Sequence, residues 1–191
     1  FMGRVRKKLP RVALAGRRNV GKSTLLNALY GRRRAITDSY AGLTRDILEV
    51  EIRRGPYHFM LCDTPGLDVE DPGELEGLAL DRARAFLAQV DLILFLIEAP
   101  APAPFDFEFL DLIRRQDRPV LFVINKADGA ESESSDLAEF YEAGLPGLIG
   151  VSAKGRRNLD GLLEAIAAKV PAVLRSETED EDEGEAEADK S

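Results

Sequence analysis

Apolar positions along this chain come in short runs whose spacing alternates between the strand and helix periods. Arg11–Ala15 (RVALA) predicts a strand that ends at Gly16, and Lys22–Tyr30 (KSTLLNALY) places Leu25, Leu26 and Leu29 on one helical face. The arginine-rich stretch 31–44 reads as loop. Asp46–Arg53 alternates as a half-buried strand does, Gly55-Pro56 is a turn, and Tyr57–Asp63 returns as a second, antiparallel strand. Residues 64–73 are rich in Pro and Gly and predict loop, and Glu74–Gln89 has Leu75, Leu78, Ala79, Ala83, Phe86 and Leu87 near helical spacing. Val90–Ile97 is a continuous apolar run, the pattern of a strand buried on both faces of a parallel sheet. The alternating prolines of Ala99–Pro104 exclude helix there. Phe105–Arg115 predicts a helix, Pro119–Ile124 another buried strand, Leu137–Glu142 a short helix, Gly147–Val151 a strand, and Leu159–Val170 a closing helix stopped by Pro171. The alternation predicts an α/β fold in three layers: a mostly parallel six-stranded sheet with one antiparallel strand and helices on both faces. Ligands of such sheets sit at the carboxyl ends of the strands.

Length and charge refine this picture. The 191 residues suit one domain, and 45% apolar residues can supply its core. No apolar run approaches a bilayer span, so no membrane association is expected. The basic N-terminus is followed by no hydrophobic region, which argues against a signal peptide. Cys62 is the single cysteine, which excludes an internal disulfide and fits a reducing, cytoplasmic setting. The net charge of −8 is unevenly spread. Residues 175–191 carry nine carboxylates against Arg175 and Lys190, a net of −7, whereas residues 1–54 are basic by +10. A basic first third is compatible with phosphate-rich partners. The chain therefore divides into a basic extension over 1–10, a folded body over 11–174, and an acidic tail or interdomain linker over 175–191 that lacks the apolar residues needed to order it. Phe1 ahead of Met2 reads as a non-native leading residue.

Four motifs fall at predicted strand ends. Gly16-Arg17-Arg18-Asn19-Val20-Gly21-Lys22-Ser23 matches G-x-x-x-x-G-K-[ST], with a strand before it and a helix after it. Its glycines let backbone N–H groups converge on the α- and β-phosphates of a nucleotide, and the helix N-terminus adds positive potential. Lys22 reaches the β- and γ-phosphates, and the Ser23 hydroxyl suits Mg²⁺. The candidate phosphate-binding residues are Gly16, Arg18, Asn19, Val20, Gly21, Lys22, Ser23 and Thr24. In Asp63-Thr64-Pro65-Gly66, Asp63 can hold Mg²⁺ through water and the Gly66 N–H can meet the γ-phosphate, so this loop is a candidate switch. In Asn125-Lys126-Ala127-Asp128, the Asp128 carboxylate can accept both hydrogens of guanine N1 and N2, a donor pair adenine lacks. Asn125 is a polar partner there, and the Lys126 stem covers the base. Ser152-Ala153-Lys154 offers a backbone N–H to guanine O6. Two other residues take plainer readings, His58 as a packing residue and Cys62 as a small apolar core residue.

In this order the motifs resemble those of the Era, MnmE and EngA group of translation-factor-class GTPases. Asn19-Val20-Gly21-Lys22-Ser23-Thr24-Leu25-Leu26-Asn27 matches that group's loop and first helix, and Ala41-Gly42-Leu43-Thr44-Arg45-Asp46 resembles its first switch. The segments 136–145 and 151–153 are most similar to the first G domain of EngA. The resemblance covers residues 11–170 and implies a P-loop NTPase G domain that binds GTP and GDP, is monomeric when isolated, and hydrolyses GTP with Mg²⁺. It gives Thr44 a role on Mg²⁺ and γ-phosphate, and completes a candidate catalytic set of Lys22, Asn19, Thr44 and Gly66. It also implies K⁺ as a second cofactor, held by Asn19 where other GTPases place an arginine finger. Arg17 or Arg18 acting in cis is the alternative source of that charge. Arg18 stands where the group carries proline, and Pro65 where EngA's first domain often carries glycine. Large-ribosomal-subunit assembly is implied only for a longer parent, because no second P-loop and no KH-like RNA-binding segment occur in these residues. Era-like rRNA maturation, MnmE-like tRNA modification, an ATP-using P-loop enzyme and a nucleotide-sensing module of negligible turnover remain the other readings. Leu67 cannot orient water as a glutamine would, so intrinsic hydrolysis is expected to be slow.

Overall fold

The computed structural model describes residues 8–31, 48–63, 78–98, 102, 104–125, 140–142, 144–145 and 147–175. In chain order they form β1 (Arg11–Ala15), α1 (Lys22–Tyr30), β2 (Leu48–Arg54), β3 (Tyr57–Asp63), α2 (Leu78–Leu87), β4 (Leu92–Glu98), α3 (Pro104–Arg114), β5 (Val120–Asn125), β6 (Ile149–Val151) and α4 (Leu159–Lys169). A 3₁₀ turn, Pro171–Val173, follows α4. The six strands make one sheet in the order β2-β3-β1-β4-β5-β6. Only the β2–β3 pair is antiparallel; β1 runs parallel to both β3 and β4, β4 to β5, and β5 to β6.

Each face of the sheet has its own apolar core. Along β4, Leu92, Leu94 and Leu96 join the cluster that α1 and α4 complete with Leu25, Leu26, Leu162 and Ile166. Ile93, Phe95 and Ile97 point the other way, into a cluster with Leu87, Phe109 and Ile113 of α2 and α3. This is why the run is continuously apolar: each alternate residue meets a helix layer. Phe95 lies 5.6 Å from the Phe109 ring and 6.2 Å, edge-on, from that of Phe122, so the core interdigitates at the sheet centre. The edge strand β2 keeps Val50 and Ile52 inward and Glu49, Glu51 and Arg53 outward, the alternation read from its sequence.

Several boundaries differ from those the sequence predicts. Pro104 is not excluded from helix; it opens α3, where a missing N–H matters least and the fixed φ is already helical. β4 begins at Leu92 rather than Val90, because the Arg11 N–H bonds the Asp91 carboxylate and the Asp91 N–H bonds the Arg11 carbonyl, both at 2.8 Å. β6 is only three residues long, since Gly147 takes a left-handed φ of +66° and cannot continue the strand. Of the short helix expected over 137–142, residues 140–142 are helical and the rest lie outside the described residues. His58 does more than pack: its Nε2 lies 2.6 Å from Glu51 across the β2–β3 pair. No helix among the described residues is long and apolar enough to cross a membrane.

Candidate functional site

β1 delivers the chain to the carboxyl edge of the sheet, where it turns at Gly16 with φ +148°. A Cβ at Gly16 would stand 2.5 Å from the Leu96 carbonyl oxygen, so glycine is what lets this turn lie against β4. Asn19 (φ +65°) and Gly21 (φ +100°) are also left-handed. A side chain at Gly21 would collide with the Asn125 amide. Gly21 caps α1, whose first turn has no acidic residue, so the helix N-terminus keeps its positive end undiminished. Lys22, the first residue of α1, is only 4% exposed. Its Nζ donates to the Gly16 carbonyl at 3.0 Å and the Arg17 carbonyl at 2.6 Å, so the ammonium sits inside the curl of its own loop. Buried ammonium groups require such partners. Ser23 and Thr24 follow on the exposed side of the first helical turn, and Arg18 and Asn19 are exposed on the loop.

The loop is held from outside as well. Asn125, the last residue of β5, donates from Nδ2 to the Val20 carbonyl at 2.9 Å and accepts at Oδ1 from the Ala153 N–H at 3.1 Å. It thus ties the loop after β1 to the loop after β6. Both ends of the Asn125 amide are thus engaged by protein. The turn that follows is closed by Ser152 N–H to Arg157 carbonyl at 3.2 Å, the reverse bond at 3.0 Å, and Gly155 N–H to Ser152 Oγ at 3.0 Å. Ser152 and Ala153 are buried and Lys154 is exposed. A contact absent from the sequence reading is the ion pair of Arg17 Nε with Asp106 Oδ1 at 2.8 Å, joining the loop to the first turn of α3. Sequence spacing carries no signal for it, as the partners are 89 positions apart.

Asp63 ends β3 directly beside β1, in register with Leu14, so its carboxylate belongs to the same sheet edge as the loop. A serine hydroxyl and a carboxylate are hard oxygen donors that suit Mg²⁺, which keeps several waters and takes its other ligands from phosphate. The donor set therefore fits the ion, with Ser23 and Asp63 as the candidate holders. Neighbouring Cys62 is fully buried, and burial pushes its thiol up to about 12, so it stays protonated and inert. Thr44, Gly66, Lys126 and Asp128 lie outside the described residues.

Comparison with known proteins places this geometry. The family model described as "50S ribosome-binding GTPase" matches residues 11–126. The chain is 43% identical over 166 residues to GTPase Der of Leptospira borgpetersenii, covering 84% of this chain and 34% of that protein. It thus spans about a third of that relative's length. Among solved structures, Aquifex aeolicus Era bound to GDP and aluminium fluoride is similar with a TM-score of 0.67 and 31% identity, over 89% of this chain and 58% of that one. Era in complex with the Mg²⁺ salt of a GTP analogue and a fragment of 16S ribosomal RNA gives a TM-score of 0.64 at 29% identity, over 88% and 58%. A parallel sheet with a glycine-turned loop around a buried lysine, matched by this family's model over most of the folded body, makes the chain a member of the 50S ribosome-binding GTPase family.

Proposed function

We propose that this domain binds GTP and GDP at the carboxyl edge of its sheet, hydrolyses GTP slowly with Mg²⁺, and serves large-ribosomal-subunit assembly within a longer protein. The observation that carries the reading is the Asn125 side chain joining Val20 to Ala153. It brings residues 16–23, Asn125 and residues 152–154 to one place, with phosphate chemistry on one side and the residues that precede the base-recognition motif on the other. Backbone N–H groups of 18–24 and the N-terminus of α1 bind the phosphates, and Lys22 exchanges loop carbonyls for β- and γ-phosphate oxygens. Ser23 and Asp63 hold Mg²⁺, which supplies neutralising charge across those phosphates when bound. Thr44 and the Gly66 N–H close on the γ-phosphate, and Asp128 selects guanine. Asn19 takes a K⁺ ion; the engagement of Arg17 by Asp106 supports this reading over an arginine acting in cis from that position.

Two measurements test the proposal. Competition against a fluorescent GDP should rank GTP and GDP far above ATP and ADP, and Lys22→Met should lose that binding. Single-turnover assays should then show GTP cleavage that requires Mg²⁺; tight binding with no turnover would leave a nucleotide-sensing module instead. The ribosomal part is separable. Its support is the family description and the GTPase Der relative, and its test is sedimentation of the full-length parent with large subunits. Failure to co-sediment in any nucleotide state would remove that part alone.

A further inference from the structure

We infer that Asp106 is a positioning residue for the phosphate-binding lysine, acting through Arg17. The inference rests on the reading of residues 16–23 as a phosphate loop, and it adds a member that no motif contains. Three observations carry it. The Asp106 side chain is 2% exposed, while that of Arg17, its partner at 2.8 Å, is 27% exposed, so the pair reaches from the loop into the α3 interface. The Arg17 carbonyl accepts from Lys22 Nζ at 2.6 Å, a shorter bond than that to the Gly16 carbonyl at 3.0 Å. On either side the loop has other contacts, Gly16 lying close against the Leu96 carbonyl and the Val20 carbonyl accepting from the Asn125 side-chain amide. Between those contacts, Arg17 is where the loop is anchored by an ion pair, and its peptide helps to place Lys22.

A carboxylate is costly to bury, and an ion pair of this kind is weak evidence for stability, because apolar residues of similar volume often serve as well or better. What the pair provides is position. A guanidinium held by a carboxylate has a directional bond that an apolar contact lacks. Asp106 sits in the first turn of α3, a helix whose Phe109, Leu110 and Ile113 are embedded in the core, so the anchor is referenced to the rigid body rather than to another loop. Without it, the Arg17 peptide loses this anchor and Lys22 a fixed start point relative to the β-phosphate. Misplacement on the ångström scale costs on the order of 100-fold in such sites.

The test separates position from stability. The β-phosphate contribution is read as the ratio of GDP to GMP affinity, by competition against a fluorescent GDP. The double variant Arg17→Met/Asp106→Leu replaces the pair with apolar groups and is expected to keep the parent's thermal midpoint while the ratio falls about 10- to 100-fold. Asp106→Asn should lower the ratio by a similar factor, and adding Arg17→Met to it should lower it little further, because both act on one bond. A ratio equal to the parent's in the double variant overturns the inference, as does an equal loss of GDP and GMP affinity. If the double variant does not fold, Asp106→Asn decides by the same ratio. A parent that does not prefer GDP over GMP would instead sink the phosphate-loop reading, a distinct outcome.

Discussion

Single residues in this site do work that their motif positions only partly describe. Asn19 is exposed and left-handed, with φ +65°, a conformation asparagine tolerates better than most side chains. It therefore has a conformational reason to be there besides any ion it holds. The two roles are separable: Asn19→Gly keeps the backbone and removes the amide, whereas Asn19→Ala adds strain of about 1–2 kcal/mol. GTP turnover in KCl should exceed that in NaCl at equal ionic strength for the parent, and Asn19→Gly should abolish the difference. A well-placed cation is worth ~10³–10⁵ in GTPases supplied with an arginine finger, so even a poor substitute is visible. Equal K⁺ stimulation of parent and glycine variant would leave Asn19 as a loop-shaping residue. The base site has an equally specific signature. Asp128→Asn should shift preference from GTP toward xanthosine triphosphate, since xanthine offers an acceptor at position 2 where guanine offers a donor. If parent and variant rank the two nucleotides alike, base recognition does not run through Asp128.

At the scale of elements, the β2–β3 pair matters most. β2 follows the segment that contains Thr44, and β3 ends at Asp63, where the segment containing Gly66 begins. The two strands are paired along their full length, from Leu48 with Asp63 to Arg54 with Tyr57. Both proposed γ-phosphate contacts are thus attached to one antiparallel ribbon. Hydrogen exchange in residues 31–44 and 64–73 should slow when GDP is replaced by a non-hydrolysable GTP analogue, while β1, β4 and β5 stay unchanged because their strands are buried on both sides. Identical exchange in both states would remove the case for a switch and leave nucleotide binding intact. The ribbon's cross-strand cluster also has a pH signature. Hydrogen bonds from Arg53, then His58, hold the Glu51 carboxyl below its usual range. Stability from a depressed carboxyl is present above its unfolded value and lost as pH falls through the folded one. Glu51→Gln should therefore lower the thermal midpoint slightly near neutrality, and that difference should shrink as pH falls through the lowered pKa of the folded state. A difference that persists at low pH would point to packing rather than charge.

For the whole molecule, the folded body closes on itself at Arg175, whose N–H bonds the Pro56 carbonyl at 2.8 Å, next to a bridge between Tyr57 and Leu174. Just before it, Val173 is fully buried in the core that α1 and α4 cover. Removing residues 176–191 should leave the thermal midpoint and GTP affinity unchanged. Removing 171–191 should cost at least the ~1.5–3 kcal/mol of a fully buried valine. A large loss from the shorter truncation would show that the acidic tail docks on the body. Much of this architecture was legible in the residues themselves. β1, α1 and β3 lie where the sequence places them, because each has a strong local signal: a glycine stop for β1, a 3.6-residue apolar stripe for α1, and the Gly55-Pro56 turn that starts β3. The P-loop motif was equally legible, since its glycines answer to local backbone geometry. Local pattern misjudged Pro104, which excludes helix interiors but not helix starts, and it could not name the partner of His58, which is on the neighbouring strand. The amide of Asn125 illustrates the remaining distinction. Its motif named the residue, but only the parallel packing of β1, β4, β5 and β6 set it between Val20 and Ala153, and only the packing of α3 on β4 brought Asp106 to Arg17. Sequence alone determined which elements form and which chemistry they carry, because those follow from interactions within a few residues. Tertiary structure decided which groups touch, because a hydrogen bond between residues 89 positions apart depends on strand order and helix placement that no local pattern encodes.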